Sequence, residues 1–350
     1  MKRLMKSIFK ISILLVSIAI LAGCSDWTSP ESIEIEKNSI QESNPELYSK
    51  YCAALREYKN SDHRITYTTF ENVAGIAANG SQKISMLPDS IDVVQLMNLE
   101  VSDTHLKEIA EARNNFGTRF VMRFSYEDCL AAYEAYVEEA ENEAAEGEET
   151  APVLTPFEDF YKAEFKKVAD KVTDYSLDGL TFANRGKNIA GMTAEQMEEY
   201  LADQALVLAP VKDWCSANGS KLFFYEGQAE YCTDEEFVKT VKYFILPTRS
   251  ARSVGELGLY GINSYTSGKL PENAKLLYAI ETPSFIEEEY LVGQFVLGEQ
   301  IPLTADWIVK DASFAKSGVA IWNVQRDYFN TGGLVYPNVR AAIKTMNPNE

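Results

Sequence analysis

The stretch DYSLDGLTFANRG, residues 174–186, decides how the chain is read. Leu177, Leu180 and Phe182 alternate with small or polar residues, the pattern of a strand packed on both faces. Strands of that kind end where enzymes keep their acids. Yet after Asp178 no carboxylate occurs until Glu195, in a chain of 350 residues with 52 acidic ones.

Seven further runs have the same character: 65–73, 91–99, 119–126, 221–227, 242–248, 276–282 and 318–324. Amphipathic stretches separate them. DTHLKEIAEARNNFG runs into a glycine that suits a helix C-cap. Thr193 with Gln196, and Thr233 with Glu236, have capping-box spacing. YPNVRAAIKTMNP closes the chain as a last helix. Strands alternating with helices imply parallel pairing, because each crossover needs a helix. Eight such units predict an α/β protein of (β/α)8 TIM-barrel type. A doubly wound open sheet is the alternative, weakened by the lack of a G-x-G-x-x-G after any strand. One segment breaks the rhythm: residues 136–156, acidic and alanine-rich, read as a helix extension with a solvated loop.

Composition narrows the partners. Hydrophobic residues make up 46% of the chain and the formal charge is −19. Such a chain can build a large core, and it lacks the basic balance that nucleic acid demands. The opening residues carry Lys2, Arg3, Lys6 and Lys10, then an apolar run from Ile11 to Ala22. This is the layout of a secretory signal, too short to span a bilayer comfortably. LAGC, ending at Cys24, resembles the bacterial lipoprotein box, which implies lipid attachment at Cys24. The expected organisation is a lipoprotein signal over 1–23, a tether over 24–50 and a barrel over 51–350. The expected location is the outer membrane, facing the cell surface.

Catalytic metal and thiol chemistry find little support. Cys52, Cys129, Cys215 and Cys232 show no C-x-x-C spacing, so neither a metal nor a cofactor is expected. Cys215 and Cys232 are as consistent with free buried thiols as with a disulfide. His63 and His105 read as surface residues, and no G-x-S-x-G is present.

Polar and aromatic residues late in the strands are the candidate ligand contacts. They are Tyr126, Tyr225, Trp322, Asn72, Asn98, Asn184, Arg185, Glu226, Glu281 and Asn323, whereas Phe70 and Phe182 read as core. Arg185 has two readings, a clamp for an acidic or amide group or an ion-pair partner of Glu226.

At the fourth strand the chain resembles glycoside hydrolase family 18, the chitinases and endo-β-N-acetylglucosaminidases. That family carries D-G-x-D-x-D-x-E there. Its last glutamate protonates the glycosidic oxygen, and the preceding aspartate orients the substrate's own acetamido group, a substrate-assisted route. YCAALREYKNSDHRITYTTFENV with SMLPDSIDVVQLMNL resembles the opening of a lipoprotein branch of the family, and YPNVRAAIKTMNP resembles its closing helix. Asp178 and Gly179 match the motif. The three inward acids fall on Thr181, Ala183 and Arg185, none able to act as a tuned proton donor. Asp178 alone reads as structural.

The resemblance therefore implies a glycan-binding relative without catalysis. Its ligands would contain N-acetylglucosamine, as in N-glycan or chitobiose cores, and Trp322 would floor the cleft. An outer-membrane glycan importer is the implied partner. Two other readings stay open: an active hydrolase using Glu226 and Glu281, and a structural lipoprotein with a filled mouth.

Overall fold

The computed structural model describes residues 40–146, 153–329 and 333–348. The signal, Cys24 and the first part of the tether lie outside these residues, as do 147–152 of the acidic segment. The chain divides into two units, residues 1–49 and 50–350. In the first, Ile40–Ser43 is helical and the helix Pro45–Asn60 begins, so helix reaches into the stretch read as a tether.

The second unit is the barrel. Its strands are β1 Ile65–Phe70, β2 Val93–Leu96, β3 Arg119–Ser125, β4 Gly179–Ala183, β5 Leu222–Glu226, β6 Tyr243–Leu246, β7 Lys275–Glu281 and β8 Gly318–Trp322. They close in the order β1-β8-β7-β6-β5-β4-β3-β2, with every barrel pairing parallel. All eight expected strands are present. A two-residue antiparallel ribbon, Gln294–Phe295 with Gly298–Glu299, was not foreseen.

The two-residue strand period sorts side chains into two cores. Tyr67, Val93, Val121, Phe224, Ile245, Leu277, Ala320 and Trp322 fill the barrel. Phe120, Met122, Phe124, Leu180, Phe182, Tyr225, Phe244 and Tyr278 point outward onto the helices. Each of the larger apolar side chains, once buried, stabilises by about 1.5–3 kcal/mol. Gly179 has a steric role: a Cβ there would lie 2.1 Å from the Leu222 carbonyl oxygen, so β4 and β5 close only around glycine.

The helix ends follow the sequence in part. Ser102 caps Asp103–Phe116, and Gly117 ends it at φ 71°. Thr193 and Gln196 form the expected capping box on Ala194–Ala217. The helix Glu235–Thr240 differs: Asp234, not Thr233, accepts from the Phe237 N–H at 2.9 Å. Asp234 sits three residues before that N–H, the spacing an N-cap requires. The tyrosine-started helix Tyr126–Glu146 extends into the acidic segment, as expected, and Phe157–Asp174 follows it. Among the described residues no helix is long and apolar enough to cross a membrane.

The YK and SDH motifs seal the barrel base. Lys59 Nζ donates to the carbonyls of Asp89 (2.6 Å) and Ile91 (2.6 Å) and to Thr118 Oγ1 (2.8 Å). Burial lowers its pKa to about 8. His63 Nε2 lies 2.8 Å from Asp92 Oδ1, and Asp92 Oδ2 accepts from the Thr66 N–H at 2.8 Å. Neither histidine is a surface residue. His105 is 1% exposed, with its Nε2 2.8 Å from the Gln82 carbonyl and its ring edge-on to Phe70.

Burial opposes charge on His63, but the hydrogen bond and charge of Asp92 outweigh it and raise the pKa. A raised folded-state pKa gives stability that is full below the unfolded value, about 6.5, and is lost as pH rises through the folded value. Thermal melts from about pH 6 to about pH 8 should therefore show a downward slope that His63→Gln flattens. An unchanged slope would exclude His63 as its source.

Candidate functional site

The C-terminal ends of the strands open on a cavity of about 1420 Å³. A filled mouth is thereby excluded. A second cavity, about 240 Å³, lies at the opposite end around Lys59, His63 and Asp92; His63 and Asp92 bond one another, and Lys59 is bonded to Asp89, Ile91 and Thr118. Ligands of barrels bind at the C-terminal end, so the larger cavity is the candidate site.

Its floor is built by inward residues of four strands. Tyr67 of β1 donates to Gln95 Oε1 of β2 at 2.6 Å and lies 2.8 Å from Thr181 Oγ1 of β4. Burial pushes the Tyr67 phenol well above its ordinary pKa, so it stays protonated and able to donate. Trp322 of β8 sits beside it, ring centroids 6.5 Å apart.

Above the floor, Arg123 of β3 reaches Glu226 of β5 through two hydrogen bonds, Nε to Oε2 at 2.6 Å and Nη2 to Oε1 at 3.0 Å. Its Nη1 donates to Asp128 at 2.8 Å. Arg123 stands in register with Thr181, and Ala183 with Glu226. The ion pair therefore bridges the inner face of β4, in front of the two positions where the family pattern puts its aspartates. Sequence reading missed Arg123, although its parity with Val121 marks it as inward-facing.

A second cluster lies across the mouth. Glu281 at the end of β7 accepts from Asn323 Nδ2 at 2.7 Å and is 3.2 Å from Arg249 Nε. Asn323 adopts φ 56°, a conformation asparagine tolerates, and its N–H donates to Thr69 Oγ1 at 2.9 Å. The Arg249 guanidinium stands 5.4 Å from the Trp322 ring centroid. Gln300 ties the cluster together. It accepts from the Glu281 N–H at 2.9 Å and donates to the carbonyls of Arg249 (3.0 Å) and Ala251 (3.3 Å). Gly293 lets the rim loop press onto β7: a Cβ there would meet the Pro283 nitrogen at 2.5 Å, and its φ is 72°.

The cavity gathers five of the candidate contacts: Arg185, Glu226, Glu281, Trp322 and Asn323. Trp322 is only 4% exposed, because Arg249 covers it. The other candidates face elsewhere. Tyr225 has opposite parity to Glu226 and packs outward against Phe182, Phe237 and Phe244. Tyr126 packs against Phe157 and Tyr161 on the neighbouring helix. Asn184 is fully buried, donating to Gln204 and accepting from the Gly186 N–H. Asn72 and Asn98 bond one another, holding the loop after β2. Arg185 does not pair with Glu226, whose two oxygens are taken by Arg123.

Asp178 serves the opposite end of β4, accepting from the Phe120 N–H at 2.7 Å and from Arg113 at 3.0 and 3.2 Å. Cys52, Cys129, Cys215 and Cys232 are free thiols. Among the described residues no three His, Cys, Asp or Glu side chains are placed to hold a metal ion.

A closed parallel barrel with a cavity of mixed polar and apolar lining at its C-terminal rim defines a (β/α)8 protein, a fold whose ligand sites lie at that rim. Over residues 28–345 the chain matches the family described as glycoside hydrolase family 18, BT1044-like, and it belongs to that family. The solved structures give the same fold. A selenomethionine-labelled single-residue variant of BT1044 superposes with a TM-score of 0.58 at 18% identity, over 88% of this chain and 95% of that one. An endo-β-N-acetylglucosaminidase from Cordyceps militaris gives 0.57 at 15%, over 85% and 96%. No match was found among curated proteins.

Proposed function

We propose that this protein is a family 18 member that binds N-acetylglucosamine-containing glycans and does not cleave them. The observation that carries the reading is the inner face of β4. Thr181 and Ala183 stand where the family's aspartates would be, and the Arg123–Glu226 pair spans them. Arg185 takes the place of the proton-donating glutamate. The cavity supports binding: its mixture of charged, amide and apolar groups suits a polyhydroxylated ligand.

The hydrolase alternative would need a proton donor outside β4. Both oxygens of Glu226 accept from Arg123, and Glu281 is engaged by Asn323 and Arg249. Neither is left facing the cavity as an uncommitted acid.

The proposal extends to location: lipid at Cys24 would hold the barrel at the outer-membrane surface, where it would present glycans to an importer. Incorporation of a fatty-acid label at Cys24 is the check on that part.

Calorimetric titration of the purified protein with a chitobiose-core N-glycan and with chitooligosaccharides tests the binding. Saturable binding is expected, weakened at least about tenfold, or 1.4 kcal/mol, by Trp322→Ala. Trp322→Phe, which keeps the barrel filled, should fall between the two. No heat with any of these glycans would overturn the reading.

A further inference from the structure

We infer that the ligand at the barrel mouth is an anionic glycan, a sugar bearing a carboxylate or sulfate that Arg185 and Arg252 grip together. The inference rests on the glycan reading above and adds the charge of the ligand. Four acidic side chains line the cavity, and one cation, Arg123, serves two of them. Asp128 and Glu226 pair with Arg123, Glu281 with Arg249, and Glu164 with Lys167. Four arginines line it too, and two of them, Arg185 and Arg252, form no ion pair among the described residues. The four arginines of the lining balance its four carboxylates, so the mouth carries no net negative charge in a chain whose formal charge is −19, and two guanidinium groups are left to offer a ligand.

Local structure keeps both guanidinium groups free. Arg185 follows β4, and its backbone N–H donates to Glu127 Oε1 at 2.6 Å. Arg252 lies beyond β6, and its backbone N–H donates to Glu256 Oε2 at 2.9 Å. In each case the nearby carboxylate accepts from the arginine's main chain and not from its guanidinium. Both are exposed residues that line the same cavity, one after β4 and one after β6. A guanidinium presents a planar fork of donors matched to carboxylate and sulfate oxygens, and two forks facing one cavity favour an anion over a neutral hydroxyl.

The test compares three probes by titration calorimetry on the purified protein. They are an N-acetylglucosamine-containing oligosaccharide capped with N-acetylneuraminic acid, the same oligosaccharide uncapped, and a sulfated one. An anionic probe is expected to bind about tenfold tighter than the neutral one at low salt. That preference should shrink at about 0.5 M salt, where screening reaches within a few ångströms. Arg185→Gln with Arg252→Gln should bring the ratio of affinities close to one, while Arg185→Lys with Arg252→Lys should keep part of it. A preference for sulfate alone supports the inference and names the group. Equal affinity for all three probes overturns it and leaves the glycan reading standing. No binding to any of them overturns both.

Discussion

Incubated with a glycoprotein whose chitobiose core is accessible, the purified protein is expected to release no free glycan. Its turnover should lie at least ~10³-fold below that of a relative with the full acidic motif, since a positioned acid alone contributes about 10²–10⁴-fold. Two further departures from the family pattern act in the same direction. Ala183 offers nothing to orient or stabilise an acetamido nucleophile. Arg185 adds a permanent positive charge near an oxocarbenium-like transition state, which fixed cations disfavour. Release of a fluorescently labelled glycan, followed to single-turnover sensitivity, reads the outcome. Cleavage that co-purifies with the protein and is abolished by Glu226→Gln or Glu281→Gln would establish a different hydrolytic machinery.

Replacing Arg123 with alanine should be the most destabilising single change at the site, about 3 kcal/mol, because it strands Glu226 without a partner. The Glu226 side chain is 13% exposed and that of Arg123 is 23% exposed, so water recovers only part of the loss. Glu226→Gln keeps an acceptor and should cost less. The double variant Arg123→Met, Glu226→Met should regain most of the stability, since it removes both charges together. Urea midpoints of the wild type and the three variants rank the four proteins. A loss under about 1 kcal/mol for Arg123→Ala would mean that the pair contributes little and that neighbouring packing holds this face.

The barrel was legible because its strands are apolar runs punctuated by amphipathic helices, a pattern that survives without any tertiary information. The site was legible only where parity was respected. Glu226 and Trp322 share the inward register of their strands and line the cavity. Tyr225, one residue before Glu226, points into the helix layer, and the two-residue period already implied this. Asn184 differs from Ala183 in the same way. Other features depended on contacts that sequence does not record. His105 is buried because Gln82, 23 residues earlier, offers it a carbonyl. Arg249 covers Trp322 from a loop whose position is fixed by Gln300, on a helix beyond β7. The shift of a cap from Thr233 to Asp234 shows a narrower limit: adjacent residues that can each cap leave the start of a short helix open, and here the stronger capper takes it.

The strap of Arg123 and Glu226 over β4 also bears on what β4 can carry. Suppose aspartate stood at 183 and glutamate at 185. The new carboxylate at 183 would arrive beside a guanidinium already committed to another acid, and Glu226 would lose its counterion or crowd the newcomer. An acid at 183 would thus sit comfortably only with a matching change at Arg123 on β3 or Glu226 on β5.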